Sequence, residues 1–450
     1  MRKKEDFVSP RVRGDTKKQS LQEAGTSGAS TSIGELYAVP FAKEIGAQPI
    51  QVGFLTALSG IIAPLVQLFG THLLERGKNR KQIVLTFVFF QSIMWLPIIA
   101  LAIAIQTGHL AQASTSLFIL LYTLLVALGN VTFPAWFSWI GDLIPEHERG
   151  KYFSVRNRII GVVGLVVVLG GAFIIDLFRT RGYILLGFAL IFACAATCRL
   201  GSLLALKRID DPPFKSRSRD HFSFISFLKR MDNFGKFSLY LAAFNAALMF
   251  ASPFFALYML EELKFSYVTL MLVTLSSTLV YLLVIPLMGK FSDRYGNKRL
   301  LHIANIAFIF SPLPWIIVRD PLLLIIIPQL FAGVANAALV IGATNFTYDA
   351  VSPRHRPLCV TYSNILVGGG TFIGAMLGGL VLKYHPTAST SYLYLFGMAS
   401  LFRFLVAFIG LPKIKEVKPV EQMPSLPLDI THPVKTIQQD VTWMRRMLSS

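Results

Sequence analysis

The chain has 450 residues, of which 54% are hydrophobic and 15% are charged, and its mean hydropathy is +0.57. Soluble globular domains carry fewer apolar and more charged residues, so this composition excludes a soluble protein and predicts an integral membrane protein. The net charge of +19 does not indicate nucleic-acid binding, because the basic residues lie in short loops between long apolar runs. The 3 cysteines lie within or beside those runs and predict neither a disulfide framework nor a zinc site.

Twelve segments of the chain have the length that a membrane-spanning helix needs, roughly 20 residues. Eleven of them are strongly apolar. The first is rich in Gly, Ser and Thr and carries several charges, and we accept it as a helix because its Pro40 has a counterpart in the second half of the chain. In chain order, the predicted helices are 21–45, 50–73, 82–105, 115–141, 159–178, 182–206, 236–260, 267–289, 299–318, 321–346, 359–382 and 388–411.

A long polar segment divides the helices into two sets of six, and this predicts the domain organisation. We expect an N-terminal tail (1–19), an N-terminal six-helix bundle (20–206), a linker (207–235), a C-terminal six-helix bundle (236–412) and a C-terminal tail (413–450). Most Lys and Arg residues lie in the tails and in the loops after helices 2, 4, 6, 8 and 10. Because positively charged loops face the cytoplasm, we expect a multi-pass cell-membrane protein whose tails and linker are cytoplasmic.

Features of the first half recur in the second half at similar spacing, which indicates that the two halves are related. The corresponding pairs are Pro40 with Pro253, Asp142 with Asp349, Arg149 with Arg356, and Asn157 with Asn364. Two homologous six-helix halves explain these pairs most economically.

The loop between helices 8 and 9 carries a recognisable signature. Its sequence GKFSDRYGNKR runs from Gly289 to Arg299 and resembles the G-x-x-x-D-R-x-G-x-K/R-R motif of the major facilitator superfamily. The resemblance extends over residues 20–412. It implies an all-α membrane protein with twelve transmembrane helices in two pseudo-symmetric six-helix bundles, and a secondary transporter that works by alternating access. The first-half copy departs from the motif, with Leu74 at the Asp position.

The charged loops of both halves are predicted to form a cytoplasmic gate. Its carboxylates and arginines would hold helix ends together and separate when the cytoplasmic side opens. The alternative is that these charges only set the topology. The predicted gate residues are Asp142, Arg149, Gly289, Asp293, Arg294, Gly296, Arg299, Asp349 and Arg356.

The resemblance places a substrate cavity between helices 1, 4, 7 and 10, and each of these helices carries polar side chains near its middle. For each Asn, a hydrogen bond to a neighbouring helix is an equally good interpretation. Arg199 and Arg403 lie toward the cytoplasmic ends of helices 6 and 12, where we expect them to extend to the lipid interface rather than join the gate. The predicted cavity residues are Thr31, Ser32, Glu35, Asn130, Trp136, Asn245, Asn336 and Asn345.

Glu35 is the acidic residue nearest to the centre of any predicted helix. It would either couple transport to protons, or contact a cationic group of the solute, or remain a protonated structural residue. We predict a secondary active transporter of a small organic solute, coupled to H⁺ or Na⁺. The alternative is a non-transporting receptor or scaffold with the same fold. We expect no enzymatic activity, no cofactor, no metal and no nucleic acid, and a monomer in the lipid bilayer.

Overall fold

The computed structural model describes residues 10–77, 79–109, 114–144, 146–211, 223–229, 232–352, 355–384 and 388–417. Within these ranges the protein is all-α, without strands. They contain twelve long helices, and eleven of these are long and apolar enough to cross a membrane. The predicted fold class is therefore confirmed.

The first six helices form one half of the molecule. Helix α4 consists of two segments, Ser114–Val131 and Phe133–Leu143. The helices are α1 (Pro10–Glu44), α2 (Pro49–Glu75), α3 (Arg80–Gln106), α4 (Ser114–Leu143), α5 (Glu146–Thr180) and α6 (Ile184–Lys207).

The last six helices form the other half, after a short helix at Phe224–Leu228. Two of them are again built from two segments, Asn233–Met249 with Phe254–Glu261 and Asn297–Phe310 with Pro314–Ile317. The helices are α7 (Asn233–Glu261), α8 (Tyr267–Tyr295), α9 (Asn297–Ile317), α10 (Pro321–Ala350), α11 (Arg356–Tyr384) and α12 (Ala388–Gly410).

Prolines account for the interruptions of α4, α7 and α9. Pro134 and Pro314 stand in the first turns of the resumed segments of α4 and α9, and Pro253 immediately precedes the resumed segment of α7. Proline lacks the backbone N–H that a continuous helix needs and clashes with the preceding turn. Each interruption frees carbonyl groups inside the protein, which other donors must then satisfy.

Helix α1 is the polar helix of the fold, and it begins at Pro10 rather than at residue 21. Its extra turns are polar, and there Thr16 donates a hydrogen bond to Asp210 at 2.9 Å while Lys17 pairs with Glu148. Further along, a Cβ on Gly28 would lie 3.2 Å from the Cα of Ile160 in α5. The small residues of α1 therefore serve close helix packing, which is why its composition is unlike that of a lipid-facing helix.

The two halves pack through α2 against α11 and through α5 against α8. A Cβ on Gly368 of α11 would lie 2.8 Å from Pro64 Cγ and 2.9 Å from the Gly60 carbonyl oxygen of α2. Glycine is therefore needed at this point of contact. We call the membrane face where α1 begins and α12 ends the basic face, and the other one the opposite face.

Candidate functional site

Two cavities flank α1 inside the molecule. The N-half cavity lies among α1, α3, α4, α5 and α6 and has a volume of about 400 Å³. The C-half cavity lies between α1 and the helices α7, α8, α9, α10 and α12, with a volume of about 360 Å³. Glu35 lines both cavities. With a rise of about 1.5 Å per residue, it lies roughly 13 Å before the end of α1, near the middle of an apolar layer about 30 Å thick.

The side chain of Glu35 is exposed to this internal space. Among the described residues its carboxylate has no hydrogen-bond or ion-pair partner. The nearby Tyr122 hydroxyl donates instead to the Gly34 carbonyl oxygen at 3.2 Å. A carboxylate at this depth without a fixed cation is available to a proton or to a cationic ligand group.

A buried polar network closes the basic-face end of the N-half cavity. The Arg156 guanidinium pairs with the Glu23 carboxylate at 2.8 Å, and both side chains are largely buried. Arg199 donates from Nε to Gln91 at 2.7 Å, and Ser202 links Arg199 to Glu23 through contacts of 3.4 Å. The hydrogen bond from Ser202 adds to the Arg156–Glu23 pair in the first half, because a buried ion pair needs further hydrogen bonds to offset its lost hydration.

Four predicted cavity residues line the N-half cavity, namely Thr31, Glu35, Asn130 and Trp136. The Trp136 ring lies under the Arg156 guanidinium, whose central carbon is 4.3 Å from the ring centroid. Asn130 accepts a hydrogen bond from Gln67 at 3.0 Å, so part of its polar capacity serves helix packing. Asn130 therefore both lines the cavity and makes a hydrogen bond to a neighbouring helix, so the two interpretations are compatible at this position.

The C-half cavity contains Asn336 and Glu35 of the predicted set. Three predicted residues line neither cavity. Ser32 lies against α5, where a Cβ on Gly164 would be 2.6 Å from its hydroxyl oxygen. Asn245 accepts a hydrogen bond from Thr371 at 3.2 Å, and Asn345 donates to Ser292 at 3.0 Å. All three are used in helix contacts.

Arg403 of α12 lines the C-half cavity and is 2% exposed. Its Nη1 donates to the Phe308 carbonyl at 2.9 Å and to the Ser311 hydroxyl at 3.2 Å, and its Nη2 donates to the Leu248 carbonyl at 3.4 Å. Arg199 is likewise only 9% exposed. The expectation that these two arginines extend to the lipid interface is therefore wrong, since their guanidinium groups are bound inside the protein.

The sequence interpretation missed Arg156 and Gln91 and gave Arg403 no place in the cavity. A signal was present, because a charged side chain inside an apolar helix usually faces the protein interior and marks a functional or paired group. The sequence does not show which of these charges are paired, since the partners come from other helices.

The predicted gate residues Asp142 and Asp349 are each bound within their own half. Arg80 pairs with Asp142 at 2.7 Å, which ties the start of α3 to the end of α4. In the second half, Asn297 donates to Asp349 at 2.7 Å and joins α9 to α10. The two contacts join equivalent helix pairs, α3 with α4 and α9 with α10, and so support the internal repeat. A gate between the halves stays a prediction.

Apart from Arg149 of α5, the remaining gate residues lie near the ends of α8 and α10 at the basic face. Gly296 has a φ of 92° in the turn from α8 to α9, a conformation that favours glycine. Arg356 donates to the carbonyls of Tyr348 and Val351 at 2.9 and 3.0 Å and so braces the end of α10. Gly289 is half-buried, Asp293 and Arg294 are exposed, Arg299 is half-buried, and the side chain of Arg149 lies outside the described residues.

At the opposite face, a cluster that the sequence interpretation missed joins the two halves. Asp176 of α5 accepts hydrogen bonds from the backbone N–H groups of Tyr267 and Val268, both at 2.9 Å, at the start of α8. The Tyr267 hydroxyl donates to Glu44 of α1 at 2.8 Å. Arg179 lies over the Tyr267 ring at 5.9 Å. We call Glu44, Asp176, Arg179 and Tyr267 the interhalf cluster.

In the described part of the chain, twelve long helices in two repeated halves, eleven of them apolar enough to cross a membrane, surround polar cavities beside a central helix, as in a multi-pass membrane transporter. The chain belongs to the Major Facilitator Superfamily, which it matches over residues 24–251 and again over 234–443. The two matches confirm the two-half architecture. Transporters of this family bind small-molecule solutes.

Individual relatives are more distant. The multidrug resistance protein 1 of Bacillus subtilis is 26% identical over 135 residues, which are 30% of this chain and 33% of that protein. The chain thus spans about a third of that relative's length. The solved nucleoside transporter NupG has a TM-score of 0.67 and 14% identity, over 90% of this chain and 99% of NupG. A bacterial homolog of the human lysosomal transporter Spinster has a TM-score of 0.61 and 16% identity, over 91% and 99% of the two chains. At these identities, the structural likeness shows the fold.

Proposed function

We propose that the protein is a secondary active transporter that moves a small organic solute across the cell membrane by alternating access. The observation that carries this proposal is the unpartnered Glu35 carboxylate, which lies between two cavities at the boundary of the two halves. A polar group is costly at membrane depth unless it binds something, and transporters of this architecture bind solutes near the midplane. The two bundles, 20–206 and 236–412, are the bodies that would rock about this site.

The positions of the interhalf contacts support one state of this cycle. The interhalf cluster and the close approach of Gly368 to α2 hold the halves together at the opposite face and the midplane. At the basic face, the hydrogen bonds of Asp142 and Asp349 stay within their halves. We assign the basic face to the cytoplasm from its excess of Lys and Arg. These contacts and this orientation support the proposal that the structure is close to an inward-open state.

Glu35 is the proposed coupling residue. Protonation or binding of a cation removes the cost of a carboxylate charge inside the apolar layer. If Glu35 is loaded from one side and released to the other, solute movement becomes linked to the gradient of H⁺ or Na⁺. The side chain is suited to this because no described residue competes for its oxygens.

Transport assays in proteoliposomes test the proposal. Glu35→Gln mimics the neutral form, so we expect it to retain counterflow at saturating solute and to lose accumulation driven by a proton or sodium gradient. Glu75→Gln, an exposed carboxylate at the basic face, serves as the matched control and should retain both activities. A Glu35→Gln variant that accumulates solute like the parent would exclude coupling through this residue. Ligand binding without any counterflow would instead support a receptor.

A further inference from the structure

The C-half cavity holds two charges of opposite sign that lack charged partners among the described residues, and they come from different halves. Glu35 reaches it from α1, and Arg403 reaches it from α12. We propose that the transported solute is a small zwitterion, whose ammonium group binds at Glu35 and whose carboxylate binds at the Arg403 end of the cavity. This inference rests on the proposed function and names the chemical class of the solute.

The position of Arg403 follows from an interruption of α9. Pro312 has no N–H, so the carbonyl of Phe308 lacks the donor that a continuous helix would supply. The Arg403 guanidinium donates to that carbonyl and to the Ser311 hydroxyl. It also donates to the carbonyl of Leu248, just before the interruption of α7. These acceptors fix the side chain beside the cavity.

All three acceptors are neutral, so they leave the charge of Arg403 uncompensated. Within the described part of the chain no carboxylate pairs with this guanidinium, and its Nε has no acceptor. A neutral donor would suffice to satisfy a free carbonyl. An arginine that is 2% exposed adds a buried cation, and such a cation is costly without an anion nearby. An anionic group in the cavity supplies that anion.

The rest of the C-half cavity suits a small organic molecule with polar ends. Apolar side chains of Met249, Phe255, Met271 and Trp315 supply contact area. Its volume of about 360 Å³ lies in the range of small-molecule sites, roughly 300–1,000 Å³. As long as Glu35 is ionised, a singly charged solute would leave either Glu35 or Arg403 without a counter-ion. A zwitterion supplies a counter-ion to both residues. It also contacts both halves, whose relative movement alternating access requires.

Three matched pools of compounds test the charge requirement. They contain the same amino acids and dipeptides as free zwitterions, as N-acetyl derivatives without the ammonium charge, and as C-terminal amides without the carboxylate. Binding to the purified full chain is measured by thermal unfolding, since a ligand of the native state raises the melting temperature. We expect the zwitterions to bind at least tenfold more tightly than either derivative. Equal binding of a derivative, or binding of none of the pools, would overturn the inference.

Two variants assign the charges to their residues. Arg403→Gln should weaken zwitterion binding at least tenfold and leave the weak binding of the amides unchanged. Glu35→Gln should weaken zwitterion binding and leave the binding of the N-acetyl derivatives unchanged. Arg208→Gln, an exposed arginine at the basic face, should change neither. Equal weakening of all pools by Arg403→Gln would show a merely structural role. If this variant does not fold, Arg403→Lys keeps the charge and should keep the preference for zwitterions over amides, and loss of that preference would refute the assignment.

Counterflow separates this inference from the proposed function. Counterflow of a singly charged compound that binds best would refute the zwitterion and leave the transporter intact. Zwitterion binding that depends on Arg403, without counterflow in proteoliposomes, would refute transport and leave the binding site intact.

Discussion

Removal of the Asp176 carboxylate should shift the balance between the two open states of the protein. Asp176 of α5 caps the first two N–H groups of α8 in the other half, through hydrogen bonds of 2.9 Å each. These bonds also place a negative charge at the positive end of the α8 dipole. Because they join the halves at the opposite face, they must break when that face opens. Asp176→Ala should therefore favour the state that is open at the opposite face.

The size of the effect follows from the two bonds. Hydrogen bonds to a charged group contribute about 1.5–3 kcal/mol each, and the half-buried position of Asp176 argues for the lower end or somewhat below it. A total of about 2 kcal/mol corresponds to a roughly thirty-fold change in the equilibrium constant. Asp320 provides the matched control, since its carboxylate accepts two backbone hydrogen bonds of 3.0 Å at the start of α10 within its own half.

Spin labels at Arg181 and Lys264, which are exposed in loops of the two halves at the opposite face, measure the opening as an interlabel distance. Asp176→Ala should enlarge the long-distance population, whereas Asp320→Ala should lower thermal stability and leave the distances unchanged. An unchanged distribution in Asp176→Ala, or the same change in both variants, would refute the role of the interhalf cluster.

Three further predictions address the gate, the topology and the buried ion pair. Asp293→Asn should lower the transport rate more than the apparent solute affinity, because the change lies outside both cavities, and unchanged turnover at normal expression would contradict the gate. Cysteines at Ser218 and Ser450, in a chain without its native cysteines, should resist membrane-impermeant thiol reagents in intact cells, and labelling of either would overturn the cytoplasmic assignment. Arg156→Ala should destabilise the protein by about 3–5 kcal/mol because it leaves Glu23 buried without its cation. The melting temperature should recover in part when Glu23→Gln is added to Arg156→Ala. An equal loss of stability in the single and the double variant would argue against the pair.

The fold could be predicted from the sequence because the bilayer imposes a strong constraint on length and hydropathy. Helix α1 was recognised from the repeated proline rather than from hydropathy, and its polar extension to Pro10 escaped detection because no apolar periodicity marks it. The interruptions of α4, α7 and α9 were also missed. Other membrane helices here contain a proline without interruption, for example Pro64 in α2 and Pro97 in α3. Tertiary contacts decide which prolines end a helical segment.

The candidate site was predicted in part. The sequence located polar residues on α1, α4 and α10 that line the two cavities, but it did not show which neighbour each helix face meets. Asn245 and Asn336 look alike in sequence, yet one binds Thr371 and the other lines the C-half cavity. The interhalf cluster was missed because Asp176 and Tyr267 lie at helix ends, where charged and aromatic residues are common.

The two buried arginines show how related halves can diverge in function. Arg199 and Arg403 occupy corresponding helices, α6 and α12. Arg199 binds the neutral side chains of Gln91 and Ser202, and Ser202 links it to the Glu23 carboxylate, which pairs with Arg156. Arg403 binds only neutral acceptors among the described residues, and in the proposed zwitterion site its charge would pair with the solute carboxylate. The first half therefore places a carboxylate near Arg199 and an unpaired carboxylate at Glu35, and the second half supplies Arg403, whose acceptors in the described residues are all neutral. In the proposed transport cycle, such complementary charges on two moving halves would give a solute different contacts in each state, which is the condition for a ligand to bias their equilibrium.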